Sequence, residues 1–180
     1  EETGPVFAER SAVVTDAPNI PQPPFWGVRV KKDYDLRELF TYINETALFK
    51  NQWQLKTASQ EDYLRLVEEK YRPIKKSLEE EVLASGLFEP RVVYGYFPAQ
   101  GNGNDVVVYA PEEATRTGVS APQELLRFTF PRQREGRRLC ISDFFAPKAS
   151  GKMDVLGLSL VTIGAQASVE TQRLFEGGEY

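Results

Sequence analysis

Residues 91–109 read RVVYGYFPAQGNGNDVVVY, and the fold turns on them. RVVYGYF alternates and is rich in β-branched and aromatic side chains, QGNGN supplies residues tolerant of positive φ, and DVVVY returns as a second apolar run. Together they predict a β-hairpin. Gly95 stands between Tyr94 and Tyr96. A glycine inside a strand marks a bulge or the close approach of another group, and a flat ligand stacked on the tyrosine rings is one candidate for that group.

Downstream, LLRFTF (125–130), a polar turn around Arg134 to Gly136 and RLCIS (138–142) repeat the arrangement and predict a second hairpin. Cys140 would then sit in the apolar middle of a strand, as a small packing residue. Val155 to Ile163 supplies a fifth strand, and ASVETQRLF (167–175) opens a final helix with only Gly177 and Gly178 as a stop. Upstream, Leu36, Leu39, Phe40 and Ile43 mark a short amphipathic helix, with Asp35 and Glu38 placed as a capping box. A second helix opens at Ser59 with Asp62 in the matching position, runs through Tyr63, Leu66, Val67, Ile74, Leu78 and Val82, and stops at Gly86. Pro73 should kink it or split it in two, because proline removes a backbone donor and crowds the preceding turn. Helices first and hairpins later predict an α+β fold with a twisted antiparallel sheet.

Residues 1–24 carry a cluster of prolines with no apolar period and read as a linker from a preceding domain, pinned to the domain of residues 25–180 by Phe25 and Trp26. A length of 180 residues at 41% hydrophobic is enough for one domain, which would bury roughly two thirds of its unfolded surface. A formal charge of −4 without a basic block argues against nucleic acid as a partner. No apolar run reaches the roughly 18 residues of a membrane span, and one cysteine forms no internal disulfide, so a reducing cytoplasmic setting is expected. Histidine is absent, which removes imidazole as base or ligand and leaves no zinc or Cys/His site in this chain.

The loop CISDFFAPKASGKMD (140–154) concentrates the remaining chemistry. ASGK lacks the paired glycines and the Lys-Ser/Thr step of a phosphate-binding loop, since Met153 follows Lys152. Asp143 and Asp154 read either as an acid/base pair or as turn caps, with Lys148 and Lys152 in loop salt bridges. Cys140 has no histidine to activate it. Glu79, Glu80 and Glu81 form a solvated helix face with Lys75 and Lys76 as partial partners. No catalytic set is visible, and no metal ligand set.

Three blocks, RVVYGYFPAQGNGNDVVVY, LRFTFPRQ and CISDFFAPKASGKMDVLG, resemble in order and spacing the C-terminal activation domain of cobalamin-dependent methionine synthases. PPFWGVRV and ALFKNQW resemble its entry, so the resemblance covers nearly the whole chain. It implies a C-shaped α+β unit, here incomplete and truncated at its C-terminus. It also implies S-adenosylmethionine as ligand, cobalamin held by a neighbouring domain, zinc only in a distant domain of the full enzyme, and flavodoxin or a similar reductant as partner. The cofactor then carries the chemistry, which accounts for the missing catalytic set. The family's arginine and glycine-tyrosine-proline ligand signature falls beyond residue 180. An aspartate that contacts the ligand aligns with Asn44, which reads equally as a ligand contact or as the end of the first helix. The resemblance implies that Lys148, Ser150, Gly151, Lys152 and Asp154 form a motif loop facing the cofactor assembly, with Ser150 and Gly151 making the turn and Asp154 fixing it through backbone hydrogen bonds. A docking module that keeps the fold without the ligand site is the alternative. An exposed apolar end at Leu174 and Phe175 would speak for a piece of a larger domain.

Overall fold

The structure, a computed structural model, describes residues 9–16, 19–114 and 122–178. Parts of the expected linker, residues 1–8 and 17–18, lie outside them. The Arg91–Tyr109 hairpin forms as the alternation predicts. Strands β2 (Arg91–Asn102) and β3 (Asp105–Tyr109) pair antiparallel from Ala99↔Val108 to Asn102↔Asp105. That register leaves Gly103 and Asn104 as a two-residue turn, and Gly103 takes the positive φ of 62° that such a turn needs at its first position. The sheet has five strands in the order β1 (Gly27–Lys31), β2, β3, β4 (Glu124–Thr129), with β5 (Asp154–Thr162) also paired to β2.

Central strand β3 is buried on both faces: Val106, Val107, Val108 and Tyr109 are each no more than 1% exposed. An unbroken apolar run is the pattern of a strand covered above and below. Ala99, Val106 and Val108 form one core, closed by Phe97, Phe130, Phe145 and Leu156.

The second hairpin does not form. β4 pairs antiparallel with β3, from Asp105↔Thr129 to Tyr109↔Glu124, so β2, β3 and β4 make a meander. RLCIS is not a strand: Arg138 has φ of 50°, and Cys140 caps a 3₁₀ turn over Ile141–Phe144. The buried Asp143 carboxylate takes the Cys140 N–H that a ladder would have used, and strand alternation carries no record of such a bond.

Gly95 meets its neighbour in the chain itself. A Cβ there would lie 2.4 Å from the Gly27 carbonyl oxygen of β1, so strand crowding explains the glycine and a stacked ligand is not needed. The Tyr94 and Tyr96 rings instead take the edge of Phe25, at 5.5 and 5.2 Å between centroids, and Arg29 covers the Phe25 face. This is the anchoring expected of Phe25. Gly101 is equally confined: a Cβ would lie 2.4 Å from the Ser142 carbonyl oxygen, while its N–H donates to Ala146 O at 2.9 Å.

Residues 1–29 with 93–160 make one unit, and residues 30–92 with 161–180 another. In the second unit, Asp35 caps α1 (Leu36–Thr41) through the Arg37 N–H at 2.9 Å, and the helix ends two residues before Ile43. Ser59 caps α2 (Gln60–Leu66), accepting from the Asp62 N–H and donating to its carboxylate. Pro73 does not split the helix in two: α2, a π-helical stretch, Val67–Tyr71, and α3 (Arg72–Ser85) follow one another in helical torsions. The wider π turn just ahead of Pro73 is the distortion by which the helix accommodates the ring and its missing N–H. Gly86 closes α3 in the left-handed conformation.

A second π-helical stretch, Ala47–Gln52, was not anticipated. It aims Phe49 into a small core with Leu55 and Val67, and Phe49, Trp53 and Tyr71 pack ring to ring at 5.4–5.9 Å. The last helix, α4 (Ala165–Gly177), is closed by Gly178 at φ 69°, so the two glycines suffice as a stop.

Gly101→Ala is expected to lower stability by about 1–3 kcal/mol, because the Ser142 carbonyl is backbone and cannot swing aside. A urea midpoint indistinguishable from wild type would contradict that close approach.

Candidate functional site

The centre of the motif region is one carboxylate. Asp143 is 1% exposed, and the Arg132 guanidinium grips it with a two-toothed fork, Nη1 to Oδ2 at 2.6 Å and Nη2 to Oδ1 at 2.7 Å. The Cys140 N–H donates to Oδ2 at 2.9 Å. Arg132 also donates through Nε to Asn104 Oδ1 and through Nη1 to Arg138 O, which ties the hairpin turn to the arginine-rich turn. Burial alone would push the Asp143 carboxyl up, but the Arg132 fork and the Cys140 and Ser11 N–H groups outweigh it and hold it below the ordinary carboxylate value. Arg10 approaches from the N-terminal segment and donates to the Asp143 carbonyl at 3.1 and 2.8 Å. Residues 9–16 are therefore held against this unit, although they form neither helix nor strand.

The loop leaving Asp143 is a rigid corner. Lys148–Ser150 form a 3₁₀ turn, and Gly151 follows with φ of 67°. The Ser150 hydroxyl donates to Pro147 O at 2.7 Å and accepts from the Lys152 N–H at 3.2 Å. Asp154 closes the corner, accepting from the Ala146 N–H through Oδ2 and from its own neighbour Val155 through Oδ1. Ser150 and Gly151 thus make the turn and Asp154 fixes it. Both carboxylates accept backbone N–H groups, as the turn-cap reading expects, and Asp143 in addition holds Arg132.

The corner is joined to the sheet by a relay absent from the sequence reading. Buried Gln100 donates from Nε2 to the Lys152 carbonyl at 2.6 Å and accepts from the Tyr109 hydroxyl at 3.0 Å. A glutamine in a run of glycines and asparagines looks like turn filler, and only the register shows that it lies on the buried face with Val107. The side chains of Lys148 and Lys152 are exposed, so the corner presents two ammonium groups on a fixed backbone. Cys140 is buried, with Sγ 3.1 Å from the Ser142 hydroxyl; it is a core residue as expected, at a cap and not inside a strand.

Asn44 belongs to the other unit. It caps the helical stretch that follows it, Oδ1 accepting from the Ala47 N–H at 3.0 Å, and is not the end of α1. Its side chain is exposed, and its amide nitrogen finds no acceptor among the described residues. Among the described residues no helix is long and apolar enough to cross a membrane.

The geometry defines an α+β fold in which the sequence motif is structural support and an exposed corner. A family model described as "Vitamin B12 dependent methionine synthase, activation domain" matches residues 35–178. Methionine synthase of Mycobacterium tuberculosis is 37% identical over 96% of this chain and 14% of its own length, and that of Mycobacterium leprae is 35% identical over the same shares. A crystal structure of the MetH reactivation domain bound to AdoHcy matches with a TM-score of 0.62 and 26% identity, over 92% of this chain and 50% of the other. The chain belongs to the activation-domain family of vitamin B12-dependent methionine synthases. It spans 14% of the length of these two synthases.

Because Asp143 is held below its ordinary value of 3.8, it binds fewer protons folded than unfolded. Its contribution is complete above that pH and fades as the pH falls through the folded value. Asp143→Asn is expected to cost about 3–5 kcal/mol at neutral pH, since it leaves Arg132 buried without its counter-charge. Urea melts between pH 7 and pH 2.5 should show the difference between variant and wild type shrinking below pH 4. A constant difference would contradict the assignment.

Proposed function

We propose that this chain is part of a cobalamin-dependent methionine synthase, the enzyme class that moves a methyl group from methyltetrahydrofolate to homocysteine through cobalamin. Within it, the segment belongs to the domain that binds S-adenosylmethionine for reductive remethylation of cob(II)alamin. The observation that carries this reading is the family match across residues 35–178. In this reading the nucleoside ligand supplies a methyl group and the corrinoid, held by a neighbouring domain, accepts it. The partners are that cobalamin-binding domain and flavodoxin or a similar reductant, in the cytoplasm, and zinc belongs to a distant domain. The segment alone has no methyltransferase activity.

Residues 1–24 act as the linker from the cobalamin-binding domain, and residues 25–180 as the first part of an activation domain that continues beyond residue 180. Apolar surface supports that continuation: Leu160 is 74%, Val161 63% and Phe175 63% exposed, which a finished domain covers. Asn44 is the ligand contact on this chain. Its carbonyl is committed to the cap, and its amide N–H₂ is the donor that meets a ligand hydroxyl or carboxylate. Lys148, Ser150, Gly151, Lys152 and Asp154 face the cofactor assembly, the two lysines projecting from a backbone that the Gln100 and Asp154 bonds hold still. No chemical step falls to these side chains; they position and exclude.

A single free donor at Asn44 also fits the second reading, a docking module for a corrinoid protein or flavodoxin that has lost the ligand site. Calorimetric titration of S-adenosylmethionine into the chain extended to full domain length separates the two. Asn44→Asp keeps the capping oxygen but loses the N–H₂ donor, and Asn44→Ala loses both, so each is expected to weaken binding by about tenfold. Equal affinity in all three proteins would remove Asn44 from the site. No binding in the extended protein would leave the docking module.

A further inference from the structure

Residues 132–138, RQREGRR, place four arginines and one glutamate in seven positions of a chain whose formal charge is −4. The turn borders a groove of about 400 Å³ lined by the arginines Arg10, Arg132, Arg137 and Arg138 and by one acidic residue, Glu9. Two of the arginines there serve the fold: Arg132 grips Asp143, and Arg10 bonds the Asp143 carbonyl and Asp16. Arg137 has no such duty. Its side chain is exposed and pairs with no carboxylate among the described residues, and the same holds for Arg134, which does not line the groove.

The backbone beneath Arg137 is nevertheless fixed at several points. The Ser11 hydroxyl donates to the Arg137 carbonyl at 2.5 Å, Arg132 donates to the Arg138 carbonyl at 2.7 Å, and the Gln133 N–H donates to Leu139 O at 2.9 Å. A guanidinium on a pinned backbone gives up less freedom when it captures a ligand. With Arg132 and Arg10 neutralised by Asp143 and Asp16, the Arg137 guanidinium is an uncommitted cation that draws an anion toward the concavity.

We propose that this groove binds a phosphate-bearing small molecule, with Arg137 taking two phosphate oxygens in its fork. A concavity of this size falls in the small-molecule range of about 300–1,000 Å³, whereas a protein partner needs a surface of about 800 Å² per side. A phosphate presents the pair of oxygens that a guanidinium fork grips. The proposal is independent of the S-adenosylmethionine reading.

The test is calorimetric titration of pyrophosphate into the whole chain at low ionic strength. Wild type is expected to bind one equivalent saturably and to weaken as salt is added. Arg137→Gln should lose about tenfold or more in affinity, with its urea midpoint unchanged, while Arg134→Gln loses less than about threefold. Absence of saturable binding overturns the proposal. So does an equal loss in both variants, which would mean diffuse surface charge, or binding of an oligo-glutamate peptide without pyrophosphate, which would mean a protein-docking surface.

Discussion

The buried pair between Arg132 and Asp143 is the constraint on which the sheet-bearing unit is organised. Neither group tolerates burial alone, because an unpaired charge in a dry interior costs several kcal/mol. The fork satisfies both, and the leftover donors of Arg132 reach Asn104 and the Arg138 carbonyl. One ion pair thus joins the β2–β3 turn, the arginine-rich turn and the 3₁₀ turn that starts the motif loop. It also bears on the absence of the predicted second hairpin: the Asp143 carboxylate caps the Cys140 N–H and so withdraws that donor from a strand ladder.

From that node the motif loop acquires its rigidity in small steps. Asp154 accepts from the Ala146 N–H, Ser150 bonds on both sides of its turn, and Gln100 holds the Lys152 carbonyl from the sheet. Each bond contributes about 1 kcal/mol; their common effect is to leave a single backbone path from Phe145 to Val155. Gly101 permits this, because only a residue without Cβ lets the Ser142 carbonyl pass so close.

In the helical unit, both π-helical stretches do positional work. One lies ahead of Pro73 and takes up the register that the proline ring disturbs. The other turns Phe49 inward, so that Phe49, Trp53 and Tyr71 form an aromatic cluster from residues the helical period does not align. That segment escaped the sequence reading because i, i+3 and i+4 spacing describes an α-helix, and a five-residue turn shifts every later side chain.

Local chemistry alone determined the hairpin at residues 91–109, the caps at Asp35 and Ser59, the helix distortion next to Pro73 and the stop at Gly86, since each rests on a residue and its near neighbours in sequence. The motif residues of the 140–154 loop were visible there too, as were the roles of Ser150, Gly151 and Asp154 in its turn. What only the tertiary structure decided depends on partners far apart in the chain. Asp143 is a cap and an ion-pair partner because Arg132 and Arg10 reach it, Gln100 is a buried link because the register puts it opposite Val107, and Gly95 is a contact point because Gly27 lies beside it. Alternation and spacing record which face a residue occupies; the identity of what meets that face is set by packing, which no local pattern contains.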